Sequence, residues 1–146
     1  MSRRIQDTVT LDLFEVPQPA AAIPAGLNYR STVAGLVGVM LKGAEGDRYD
    51  IAAACSRLTG KEVSKYMLDA YSSEGRDEFN LPLWVVPALE EACNSHLITN
   101  WLAGVRGGRL LIGRDALNAE LGKLERLKEE AARKIKELKK QMGVME

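Results

Sequence analysis

In the C-terminal segment apolar residues fall at alternating steps of four and three: Leu117, Leu121, Leu124, Ala131, Ile135, Leu138 and Met142, with Lys128 as the one interruption. This period predicts one long amphipathic helix over 115–146. Asp115 is placed to cap its start, and Gly143 to close it in the left-handed conformation that glycine tolerates. Leu127 widens the stripe. Water penalises such a stripe unless a second helix covers it, so these residues are the expected oligomerisation surface. The simplest mate is another copy of the chain.

Upstream the period is again helical, in shorter pieces. Ser31 is positioned to cap a first helix whose apolar face is Val33, Leu36, Val37, Met40 and Leu41. Gly35 and Gly38 weaken that helix and point to close packing against a neighbour. A turn at 43–47 leads to a second helix with Ile51, Ala52, Cys55 and Leu58 facing inward, ending near Gly60. Ser64 caps a third helix in which Met67, Leu68 and Tyr71 face the core, and 72–79 reads as a loop. Pro82 suits the first turn of a fourth helix holding Trp84, Val85, Val86, Ala88, Leu89 and Cys93, with the Val86–Pro87 junction expected to divide it. Ser95 caps a short fifth helix running through Trp101 and Leu102. Gly104, Gly107 and Gly108 then break the chain before a short strand-like run from Arg109 to Ile112.

Before the first helix the pattern differs. From Ile5 to Val16 residues alternate, with Val9, Leu11 and Leu13 on one side and Thr8, Thr10 and Asp12 on the other. One strand of this kind cannot form a sheet alone. Pro17, Pro19 and Pro24 bracket an Ala-rich, extended linker. The organisation expected is an N-terminal arm and linker at 1–28, a helical domain at 29–103, a Gly/Arg-rich joint at 104–114 and an oligomerisation helix at 115–146. The fold class is all-α.

Composition narrows the functional classes only a little. Lys+Arg of 20 against Asp+Glu of 20 leaves no formal net charge, which argues against indiscriminate polyanion binding while permitting a local basic patch. Cys55 and Cys93 sit among apolar neighbours and read as two buried free thiols or as one disulfide. Arg3 and Arg4 are followed by Gln6, Asp7 and Asp12 rather than by an apolar segment, so no signal peptide is read. The longest apolar stretches fall short of a membrane span. A cytoplasmic protein without membrane association is expected.

The pair of helices Tyr49–Leu58 and Ser64–Tyr71 is the strongest lead to chemistry. A helix-turn-helix needs small residues where its helices cross, here Ala52, Ala53 and Ala54, and polar residues on the outer face of its second helix. Ser64, Lys65 and Asp69 form that outer set, with Tyr66 partly exposed, and Arg57 and Lys61 are placed to anchor a phosphate backbone. Between Asp47 and Arg76, however, Arg48, Arg57, Lys61, Lys65 and Arg76 are matched by Asp47, Asp50, Glu62, Asp69 and Glu74. Two adjacent helices of a plain bundle are therefore the competing reading.

The run Arg48–Ala53, continued by Leu58–Ser64, Met67–Tyr71, Glu74 and Asn80–Pro82, resembles small regulatory proteins of Mu-like transposable bacteriophages and, more broadly, phage regulators with a lambda-repressor-like helix-turn-helix. The resemblance spans 47–101. It implies a DNA-binding transcriptional regulator acting in the cytoplasm of a bacterial host, with Ser64, Lys65 and Tyr66 in the recognition positions.

Other constellations carry less. Cys93 and His96 lack the further ligands a zinc site needs, no base stands beside Ser72 or Ser73, and neither metal, cofactor nor enzymatic activity is expected. Arg106, Arg109 and Arg114 among glycines form the most basic stretch and are candidates, the first two above all, for holding a DNA phosphate. Trp84 and Trp101 read as core. Along the terminal helix, Glu120 and Glu125 flank the seam early and Lys134 and Lys139 late. A parallel dimer sets like against like, whereas an antiparallel pair centred near Ala131 brings Glu125 toward Lys139. The sequence thus predicts a DNA-binding regulator dimerised through antiparallel helices, or, in another class, an adaptor that binds a host or phage protein.

Overall fold

The computed structural model describes residues 16–143, so the alternating stretch at 5–15 and the last three residues of the predicted terminal helix lie outside the described residues. Those described are mostly helical and contain no strand. In chain order they form α1 (Arg30–Gly43), α2 (Arg48–Thr59), α3 (Lys65–Tyr71), a 3-10 turn (Leu83–Val85), α4 (Val86–Cys93), α5 (Leu97–Val105) and α6 (Arg114–Gln141). They divide into two compact units, Met1–Arg109 and Leu110–Glu146.

The first unit is a helical head built on α4. That helix packs against α1, α2 and α5, and Val86, Ala88, Leu89, Glu90 and Cys93 are all buried. Around it close Val37, Met40 and Leu41 of α1, Ile51, Ala52 and Cys55 of α2, and Leu68 and Tyr71 of α3. The awkward Val86–Pro87 junction is resolved by position: the chain turns as a 3-10 segment first, and Pro87 falls in the first turn of α4, where no backbone N–H is needed. Asn94 ends α4 in the left-handed conformation.

Several boundaries depart from expectation. Ser31 does not cap α1; the helix starts one residue earlier, and the Asn28 side chain accepts from the Arg30 N–H at 3.3 Å. Gly35 and Gly38 do not mark close packing, since a methyl group on Gly38 would meet nothing and one on Gly35 only the Glu74 carboxylate at 3.5 Å. Leu58 and Trp84 point outward at 50% and 53% exposure rather than into the core, and Ala53 is exposed. Trp101 is half-buried, edge-on to Tyr29 at 5.3 Å between centroids. The run Arg109–Ile112 is not a strand. Its place is taken by a single bridge between Pro19 and Arg106, which seats the linker on the end of α5. Gly107 allows this: its φ is +78°, and a Cβ there would stand 2.7 Å from the Pro19 ring.

Polar groups inside the head are spent on helix ends and loops. Glu90 is buried, yet its carboxylate accepts from the Thr99 N–H at 3.1 Å and from the Thr99 hydroxyl, so α4 caps α5 from outside. Ser95 assists by accepting from the Leu97 N–H at 3.1 Å. The Arg30 guanidinium donates to the carbonyls of Glu74, Arg76 and Asp77 and pairs with the Asp77 carboxylate, which pins the 72–80 loop to the start of α1.

The second unit is α6, a helix of 28 residues with no buried residue. Asp115 is not its cap. Gly113 at φ +61° precedes it and makes no side-chain bond, while Asp115 lies in the first turn, where the helix dipole favours an acid. Gly143 follows the helix at φ +73°.

Two substitutions test this architecture by urea unfolding. Leu68, fully buried, should lose about 2–5 kcal/mol on replacement by alanine. Glu90→Ala should cost about 1–3 kcal/mol by orphaning the Thr99 donors, and Glu90→Gln, which keeps an acceptor, clearly less.

Candidate functional site

The α2–α3 pair is tied by more side-chain hydrogen bonds than its sequence foretells. Asp47 accepts from the Asp50 N–H at 2.9 Å, and Asp50 reciprocates to the Asp47 N–H at 3.0 Å, a complete capping box. Gly60 closes α2 at φ +69°, a value that L side chains rarely adopt. The connection to α3 is then clamped by Ser56, whose hydroxyl donates to the Val63 carbonyl and accepts from the Val63 N–H, both at 2.9 Å. Val63 itself is buried. Ser64 caps α3 by accepting from the Met67 N–H at 3.1 Å. Of the three alanines expected at the crossing, Ala52 alone is buried.

On the outer side of α3 the predicted reading residues come together, and they hold one another. Asp69 receives Lys65 at 2.7 Å and Arg48 at 2.6 Å, so one carboxylate lies between two cations. The Lys65 ammonium also lies 5.8 Å from the Tyr49 ring and 5.4 Å from the Tyr66 ring. The Lys65 hydrogen bond, then that of Arg48 together with both positive charges, holds the Asp69 carboxyl below the usual aspartate range against the opposing effect of burial. The same hydrogen bond raises Lys65. Arg48 is a partner that sequence spacing did not reveal, because it stands 21 residues away on another helix. Arg57 and Lys61 are exposed, one in the last turn of α2 and the other in the connection.

The remaining predicted contacts are scattered. Arg106 is exposed at the end of α5, Arg109 is the last residue of the first unit, and Arg114 opens α6 in the second. On α6 the apolar stripe stands open within its own unit: Leu117, Leu121, Leu124, Leu127, Ile135, Leu138 and Met142 are each more than half exposed, and Ala131 is exposed with them.

A feature that the sequence did not announce lies on α4. Its outward residues Pro87 and Glu91, one turn apart, form a ridge between two apolar depressions. One, of about 450 Å³, is lined by Leu83, Val86, Ile98 and Leu102, with buried Glu90 also at its wall. The other, of about 360 Å³, is lined by Leu58, Trp84 and Ala88. Pro87 and Glu91 line both. Leu58 and Trp84, misplaced to the core by periodicity, belong to this surface.

Cys55 and Cys93 are free and buried. Burial pushes the Cys55 thiol up, and burial together with Cys55 pushes Cys93 up to about 11, so both are protonated at neutral pH and poor nucleophiles. His96 is exposed at the start of α5. Among the described residues no cluster of three His, Cys, Asp or Glu side chains could hold a metal, and no helix is long and apolar enough to cross a membrane. No protein-family model, curated protein or solved structure matches the chain.

Asp69 offers a direct check on this face. Its carboxyl should titrate below the ordinary value of about 3.9 by NMR and move up toward it in Lys65→Met. Any stabilisation from the pair is present above that ordinary value and disappears as pH falls through the lower folded value, since the unfolded chain then binds the proton first.

Proposed function

We propose that the chain is a non-enzymatic adaptor that pairs with a second copy through α6 and presents its helical head to a protein partner. The observation that carries this reading is the unburied stripe of α6. An isolated helix so lined exposes about 1.5–3 kcal/mol of burial free energy at each large aliphatic residue, which a mate recovers.

An antiparallel mate fits the stripe well. Centred between Glu129 and Glu130, within two residues of the centre the charges favour, it packs Leu117 on Met142, Leu121 on Leu138 and Leu124 on Ile135. Lys128 then lies over Ala131, whose small side chain leaves room for the lysine stem to run out to water. The acidic flank at Glu120 and Glu125 of one copy lies toward the basic half of the other, and a parallel pair forgoes that.

A phage-type DNA-binding regulator dimerised through the same helix is the second reading. Two capped helices joined by a clamped connection, with Arg57, Lys61 and Tyr66 exposed, favour it, as does the resemblance of this stretch to phage regulators. Against it stands Asp69, which already occupies both Lys65 and Arg48 and would confront an incoming phosphate. The adaptor reading has no such conflict. Both place the protein in the cytoplasm of a bacterial host.

Light scattering at micromolar concentration should give twice the 16.0 kDa of one chain, and Leu124→Glu with Leu138→Glu should return it to one chain without loss of head stability. Spin labels at Glu120 of both copies should lie about 30 Å apart, as a 1.5 Å rise per residue requires of antiparallel helices; about 10 Å would mean parallel ones. A gel shift on phage control-region duplexes decides between the two readings. The regulator requires affinity that falls with salt by about 0.9 log units per log unit for each phosphate neutralised. Absence of a shift, or of that slope, supports the adaptor.

A further inference from the structure

We propose that the Pro87–Glu91 ridge of α4, with the apolar depression on either side, is the docking site for an amphipathic helix of a partner protein bearing two aliphatic rows and a lysine or arginine between them. This rests on the adaptor reading above and names the chemistry of the partner. Residues four apart on a helix form a ridge, and helices pack by laying such ridges into one another's grooves. Here the ridge is present, the grooves flank it, and among the described residues no element of the head fills them. Leu83 at 76%, Trp84 at 53%, Leu58 at 50% and Leu102 at 45% exposure supply the walls.

Charge selects among occupants. The two depressions are lined by two carboxylates and, in the first, by exposed His96, but by no lysine or arginine. Glu90 is committed to Thr99, which leaves exposed Glu91, common to both depressions and without an ion pair among the described residues, as the acceptor for a cation. A polyanion is repelled by such a rim. A second copy of the same face would set Glu91 against Glu91. A basic helix with aliphatic rows satisfies both the apolar walls and the carboxylate.

The test is to pan a displayed library of amphipathic helices against the full chain. Enriched sequences should carry Leu, Ile or Met at i, i+3 or i+4, and i+7, with a Lys or Arg between the rows. Their affinity should fall by at least about tenfold in Leu83→Asp and in Glu91→Lys, as truncating a central anchor or reversing a paired charge does. Both positions are exposed, so circular dichroism should show the native helix content in each variant. Panning the Glu91→Lys chain should replace the basic residue by an acidic one. No enrichment, or binders indifferent to Glu91→Lys, overturns the proposal. So does displacement of the binders by a synthetic peptide of residues 114–143, which would make a second copy the occupant. Light scattering of the same variants separates the outcomes: self-association retained while helix binding is absent sinks the docking site alone, whereas a single-chain mass sinks the adaptor's pairing.

Discussion

The arrangement of α1, α2 and α5 in the head answers to the burial of α4, and α3 is carried on α2. Helix α4 is eight residues long, and five of them are buried. A helix so short contributes little stability by its own hydrogen bonds, so it persists only because α1, α2 and α5 pack on it. The dependence runs the other way too. Glu90, carried inward by α4, supplies the acceptor that the first turn of α5 would otherwise lack. Burying that carboxylate is tolerable because two donors from one threonine meet it. The outward residues of α4 are therefore held in fixed positions from beneath, which gives the Pro87–Glu91 ridge a defined shape before anything binds.

What the sequence revealed follows from which interactions are local. Capping of α3 by Ser64 and the apolar stripe of α6 depend on residues three or four apart, and both are plain in the spacing. So are Leu68 and Tyr71, whose inward face follows from helix period once the start is known. The errors lie where a distant partner decides. Leu58 and Trp84 share the apolar character of core residues, and only the path of the chain through the 3-10 turn puts them outside. The clamp of Ser56 on Val63, the hold of Arg30 on the 72–80 loop and the Arg48–Asp69 pair join residues seven, more than forty and 21 apart, and no period encodes them. The run at 109–112 looked like a strand because it is apolar and follows glycines, but among the described residues the only β-bridge is the one between Pro19 and Arg106.

The same distinction governs the candidate site. Sequence spacing grouped Lys65, Tyr66 and Asp69 on one helix capped by Ser64, and set Lys65 among basic residues matched in number by acidic ones without naming the pairs. The structure places Asp69 as the hub of a three-member cluster, so the local charge of that face is set by a carboxylate saturated with cations. A near-neutral reading head would gain specificity chiefly by presenting two copies on adjacent half-sites. That makes the regulator reading more dependent on α6 pairing than the adaptor reading is, since one apolar anchor surface suffices to hold a protein helix.

The two exposed apolar surfaces differ in a way that bears on what each meets. A twofold pair requires a surface complementary to itself, with residue i of one copy facing residue j of the other and the reverse. The α6 stripe meets that condition when reversed end for end: large aliphatic residues fall on large ones, and acids early in the helix fall toward bases late in it. The α4 ridge does not, because its one uncommitted charge is the same in both copies and lies on the axis of the ridge. Mixed apolar and charged residues of this kind suit a different molecule with the opposite charge. A chain with one self-complementary helix and one surface that is not self-complementary has the two valences that the proposed adaptor needs, and pairing through α6 would double the number of α4 faces offered.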